Sequence, residues 1–130
     1  MKILTLVKSV LAADTAVTGL RDGGIFLKRV DQNEPRPNIL LDMPEKNDDW
    51  THQGPTGLFD AHLVVHSRGD TDSQAGLLGE AVEAALNDYT GTVYGMTVSQ
   101  CRHINTMADY DDTAKVFVHV SEFRIVFRSA

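Results

Sequence analysis

A chain of 130 residues, 42% hydrophobic and 23% charged, has the length of one domain and a folded rather than disordered composition. Its single cysteine, Cys101, excludes an internal disulfide and any multi-cysteine metal centre. The 12 basic and 18 acidic residues give a formal charge of −6, which argues against tight sequence-reading of nucleic acid because an acidic surface repels phosphates.

The chain opens on helical spacing: Ile3, Leu4, Val7, Val10 and Leu11 fall on one face. Lys8 interrupts the apolar run and no small-residue cleavage site follows, so no signal peptide is expected. Nothing approaches the roughly 18 apolar residues of a membrane span, and the expectation is a soluble, cytoplasmic protein. Asp14 and Thr15 either break this helix or cap a short continuation ending at Gly19. Asp22-Gly23-Gly24 reads as a turn, followed by a short strand from Ile25 to Val30. A polar loop from Asp31 to Arg36 precedes a second strand, Asn38 to Met43. Residues 44–56 turn polar and acidic and read as an exposed loop or hairpin arm.

Strict alternation marks the stretch from Gly57 to Ser67 as a strand. Phe59, Ala61, Leu63 and Val65 point one way, while Asp60, His62 and His66 point the other. Thr71-Asp72-Ser73-Gln74 matches a capping box, and the helix after it carries Leu77, Leu78, Ala81, Val82, Ala85, Leu86 and Tyr89 as one stripe. Gly91 is the expected left-handed stop. Gly76 and Gly79 each cost about 1 kcal/mol relative to alanine inside a helix, which points to close approach of the helix to the sheet or to a neighbouring subunit. A tight hairpin around Tyr94-Gly95 leads into a strand from Met96 to Asn105. Asp109 to Asp112 reads as an acidic turn, and the last strand runs from Lys115 to Arg128, with Phe117, Phe123, Ile125 and Phe127 on one face.

No set of residues forms a convincing catalytic or metal centre. His62 and His66 share a strand face with His119 on another strand, but positions four apart on a strand are roughly 13 Å apart, too far to share one zinc ion. Cys101 has His103 on its own strand face, yet no oxyanion loop or nucleophile motif surrounds it, and a small semi-buried thiol is the better reading. Asp109, Asp111 and Asp112 lack the glycine and distal glutamate of a calcium loop. No phosphate-cradling loop or dinucleotide fingerprint is present, so no catalytic residue, metal or cofactor is expected. Trp50, the one tryptophan, either folds back onto its own domain or anchors the acidic arm on a partner, where tryptophan is enriched.

The expected architecture is a single α+β domain over residues 1–130, a two-layer sandwich with a mostly antiparallel sheet of about four to five strands packed on two helices. The order of elements resembles the tail completion proteins of long-tailed bacteriophages, also described as tail-terminator or head–tail joining proteins. The matching text is Gly57 to Val65, Ala75 to Tyr89 with Glu80-Ala81-Val82-Glu83-Ala84-Ala85-Leu86, then Gly91-Thr92 and Phe123 to Phe127. Leu11-Ala12-Ala13-Asp14 is similar to the family's opening. The resemblance implies a structural virion protein, not an enzyme, that forms a ring, usually a hexamer. The ring would cap the head-proximal end of the tail tube and contact the tube protein and the head connector. DNA would pass through its lumen without sequence-specific binding, and assembly would take place in the bacterial host cytoplasm. Trp50, Asp48, Asp49, Gly76 and Gly79 are the candidate interface residues. A neck or connector adaptor and a tail-tube subunit are rival roles within the virion. A small-ligand-binding or hydrolytic domain using His62, His103, His119 and Cys101 is the rival of another class.

Overall fold

The computed structural model describes residues 2–30, 33–51 and 54–129, with the backbone alone described for Lys2, 45–51, 54–57 and Ser129. Helix α1 (Lys2–Ala13) buries Ile3, Leu4, Leu6, Val7 and Leu11, a wider stripe than one strict helical face. It breaks at Asp14, whose Oδ1 accepts hydrogen bonds from Ala16 N and Val17 N at 3.0 and 3.1 Å. This N-cap satisfies amides that have no partner in the helix and starts α2 (Thr15–Leu20).

Strand β1 (Ile25–Leu27) runs parallel to β2 (Asn38–Thr51), which pairs antiparallel with β3 (Gly54–Gly69). Helix α3 (Asp72–Leu86) then crosses to β4 (Gly91–Val93), β5 (Met96–Asp111) and β6 (Val116–Ser129). The result is one sheet of six strands in the order β1-β2-β3-β6-β5-β4. The α+β class is as expected, with six strands and three helices among the described residues in place of four to five strands and two helices. β1 is the short strand expected from Ile25 to Val30 and ends at Leu27; the additions are β4, only three residues long, and the helix that Asp14 separates.

β2 runs past Met43 to Thr51 and β3 begins at Gly54, so the described residues of the segment 44–56 form a long two-stranded extension, with residues 52 and 53 outside the described ones. Pro44 falls in the register shift between Asp42 and Glu45, where a bulge removes the need for the ladder hydrogen bond that proline cannot donate. β5 also outruns its expected end at Asn105. Asp109, Tyr110 and Asp111 are strand residues opposite Val118, Phe117 and Val116, and the turn follows them.

The capping box forms with one change of partner. Thr71 Oγ1 accepts from Gln74 N at 3.1 Å, and Gln74 Oε1 accepts from Asp70 N at 2.9 Å, one residue before the cap. Gly91 is not the helix stop: α3 ends at Leu86, and Asp88 takes the left-handed turn with φ 63. Aspartate tolerates that region because its short polar side chain bonds locally. The Tyr94-Gly95 hairpin turn forms as expected, with φ 55 and 75 at its two central residues, the signature of a type I′ turn.

All three helices contribute to a core laid on one face of the sheet. Leu78, Val82 and Leu86 of α3 pack with Leu63, Val65, Phe123, Ile125 and α1's apolar stripe. Among the described residues no helix is long and apolar enough to cross a membrane.

Gly79 and Gly76 do different jobs. A Cβ on Gly79 would lie 2.0 Å from Cδ2 of His119 on β6, whereas one on Gly76 would meet nothing within 4 Å. Of the two, Gly79 is the one that approaches the sheet closely. Gly79→Ala is expected to destabilise the fold by about 1–3 kcal/mol through overpacking. Gly76→Ala is expected to stabilise it by about 0.5–1 kcal/mol through helix propensity. Urea midpoints of the two variants check both signs.

Candidate assembly surface

The candidate catalytic residues do not converge. His62 and His66 lie on the face of β3 away from the helices, whereas His119 pairs with Ser67 and faces α3. His62 Nε2 lies 2.8 Å from Glu122 Oε1 without hydrogen-bond geometry. Burial, opposed in part by the Asp42 carboxylate, holds the His66 imidazole below the usual histidine range. Among the described residues no cluster of three histidine, cysteine or carboxylate groups is placed to hold a metal ion. Asp111 Oδ1 instead accepts from Thr113 N and Ala114 N at 3.0 and 3.1 Å, shaping the β5–β6 turn.

Cys101 is buried, and burial, reinforced by the Asp88 carboxylate, pushes its thiol up to about 12. A nucleophile needs the opposite shift. His103 is engaged elsewhere: its Nε2 lies 3.0 Å from Asn105 O and 2.6 Å from Thr106 Oγ1. Cys101 is expected to stay unreactive to thiol reagents at pH 8 in the native protein and to react fully in denaturant, as a chromogenic disulfide reagent would show.

The polar cluster that does form centres on Glu83, a residue the sequence pattern does not single out. Its Oε2 accepts from Thr106 Oγ1 at 2.8 Å, from Ser121 Oγ at 2.7 Å and from His119 Nε2 at 2.7 Å, joining α3 to β5 and β6. Burial pushes this carboxyl up, but the bonds from His119, Ser121 and Thr106 outweigh it and leave Glu83 below the usual carboxylate range. Every donor is pinned to one oxygen between packed elements, which is the layout of a structural lock. The available sign is positional: Glu83 follows Gly79 by one helical turn on the half-buried side of the stripe.

The sheet edges are the surface that stands open. β1 covers only Ile39 to Leu41 of β2, and β4 covers only Met96 to Val98 of β5. Beyond β4, Asp88 N donates to Cys101 O at 2.7 Å and His103 N to Asn87 Oδ1 at 3.1 Å. From Ile104 to Asp111, β5 is exposed at every residue and has no strand on its outer side among the described residues. Ile104, Met107 and Tyr110 on this stretch are 54%, 49% and 41% exposed. A long strand edge with exposed apolar residues is a template for pairing with another chain.

The candidate interface residues relate to these edges unequally. Asp48 and Trp50 lie on the far part of β2, opposite Phe59 and Pro55 and beyond the reach of β1, with Asp49 in the register shift between them. Their side chains lie outside the described ones. Gly79 is covered by His119, while Gly76 is open.

A groove of about 720 Å³ occupies the sheet face away from the helices, with Leu40, His66, Arg68, Val118 and Val120 in its lining. Lys28 and Arg29 lie along it, as do Asp109, Asp111 and Asp112 of the β5–β6 end. Arg68, only 8% exposed, donates from one guanidinium nitrogen to Asn38 Oδ1 at 3.2 Å, and Asn38 donates in turn to Pro35 O.

Two partly open sheet edges on a small α+β domain are the kind of surface that pairs with other chains. The model of the family described as tail completion protein gp17 matches residues 5–128, and the chain belongs to that family. It is a structural virion protein and not an enzyme. Its fold is similar to that of a chain in the solved virion of the native gene transfer agent (GTA) particle, with a TM-score of 0.73 and 15% identity. The alignment covers 95% of this chain and 92% of that one, and at this identity it shows the fold. Comparison with curated protein sequences finds no match.

Proposed function

We propose that the chain forms a ring, a hexamer, that caps the head-proximal end of the tail tube and joins tail to head. The observation that carries this reading is a family of tail completion proteins whose member here has a sheet left open at both sides. An open edge at each end of one sheet suits a head-to-tail interface, and such an interface generates a ring when its rotation closes. The formal charge of −6 suits a lumen through which DNA slides without binding, since attachment to phosphates needs clustered cations. The tube protein and the head connector are the proposed neighbours along the axis, and the arm around Trp50 is a candidate for one of those contacts.

Multi-angle light scattering on the purified protein tests the ring directly. The expected mass is a fixed multiple of the 14.3 kDa chain, either free or on addition of isolated tail tubes. A protein that stays monomeric both at high concentration and with tubes contradicts the ring.

A further inference from the structure

We propose that neighbouring copies join by fitting the stepped edges of their sheets together, β1 of one copy against the outer edge of β5 of the next. The inference rests on the ring reading and specifies its interface. Each side of the sheet carries one short strand and one uncovered length of a long strand, and the two sides are complementary in height. Following the ladder across the sheet, Phe26 pairs with Leu40, Leu40 with His66, His66 with Val120 and Val120 with Met107. The projecting strand β1 is therefore level with the uncovered part of β5. At the other end of the strands, Gly91 pairs with Val98, Val98 with Phe127, Phe127 with Phe59 and Phe59 with Asp48. The projecting strand β4 is level with the uncovered part of β2. Each projection on one side thus has a notch at its own height on the other.

Strand directions follow from the same pairings. β2, β3, β6 and β5 alternate in direction, and β1 is parallel to β2. Repeating the unit sideways sets β1 antiparallel to the next copy's β5, and β4 parallel to the free length of the preceding copy's β2. Both arrangements are ordinary ladders. The contact would cover Met107, half exposed on the uncovered edge.

Surface charge does not decide the pairing, because Lys28 and Arg29 already line one groove with Asp109, Asp111 and Asp112 within a single copy. Shape selects the occupant: on a second copy of this chain each projecting strand meets a notch at its own height, in a direction that forms a ladder.

Cysteine cross-linking tests the register. Protein carrying Phe26→Cys is mixed with protein carrying Met107→Cys under mild oxidation, and the buried native thiol stays silent. The expected product is a disulfide dimer found only in the mixture, with Thr92→Cys plus Met107→Cys giving none. Absence of that dimer from a protein that scatters as a ring overturns the β1–β5 contact and leaves the ring standing. Absence of both the dimer and any ring overturns the two together, and a cross-link of Met107→Cys to a tube protein in tails in place of a second copy overturns the choice of partner.

Discussion

Phe123→Ala is expected to lower unfolding stability by about 3–5 kcal/mol, the range for deleting a fully buried aromatic ring. Phe123 is 0% exposed and lies on the helix-facing side of β6, opposite Leu63 of β3 and His103 of β5. Its ring sits 5.4 Å from the His103 imidazole in a tilted contact. The site is central in the sheet order and covered by helices, so backbone collapse into the void would require several strands to move. At this chain length the loss corresponds to a fall in melting temperature of about 10–20 °C. Calorimetry or thermal circular dichroism measures it; a fall of only a few degrees would contradict the close packing described here. Because the free edges lie away from this position, variant protein that remains folded at low temperature should keep its ability to assemble.

Glu83→Ala is expected to cost about 2–4 kcal/mol, because it leaves the His119, Ser121 and Thr106 donors without their acceptor in a half-buried setting. Glu83→Gln should cost less, since an amide oxygen can still accept. The acid dependence gives a separate signature. Glu83 holds its charge to lower pH in the fold than in the unfolded chain, so the unfolded state binds more protons between the two values. Its stabilisation is present above the ordinary glutamate value of about 4.3 and is lost as pH falls through the lower folded value. Urea titrations at pH 7 and pH 3 should show this acid-dependent part in the wild type and a smaller one in Glu83→Gln. Equal acid dependence in both proteins would contradict the assigned role.

Where local chemistry decides structure, the sequence was readable. The Thr71 cap, the Tyr94-Gly95 turn and the alternation from Phe59 to Val65 each follow from a few adjacent residues, and each forms. Where partners decide, it was not. Asp109 and Asp111 have poor strand propensity and suggest a turn, but pairing with Val118 and Val116 draws them into β5, an override typical of sheets. Gly91 looked like a helix stop because glycine is the commonest left-handed residue, yet Asp88 takes that conformation three residues earlier.

The polar lock had the same cause of concealment. Glu83 meets Thr106, Ser121 and His119 across separations of 23 to 38 residues, which no local pattern reports. The stepped edges are likewise a property of register, visible only once Phe26 and Met107 are known to stand at one height. The helix glycines were half legible: close approach to the sheet or to a neighbouring subunit was expected for Gly76 and Gly79 alike, and Gly79 is the one that lies against the sheet. The three histidines on strands could be dismissed as one metal site from spacing alone, and the opposite facing of His119 gives a second reason.

The most direct measurement is the position of the protein on purified particles. Electron microscopy of tails labelled with an antibody against this chain should show one ring of density at the head-proximal end of each tube. Tails made without the protein should lack that ring and fail to join heads until it is added back. Label along the whole tube, label at the distal tip, or full head joining by tails that lack the protein would contradict the proposed role.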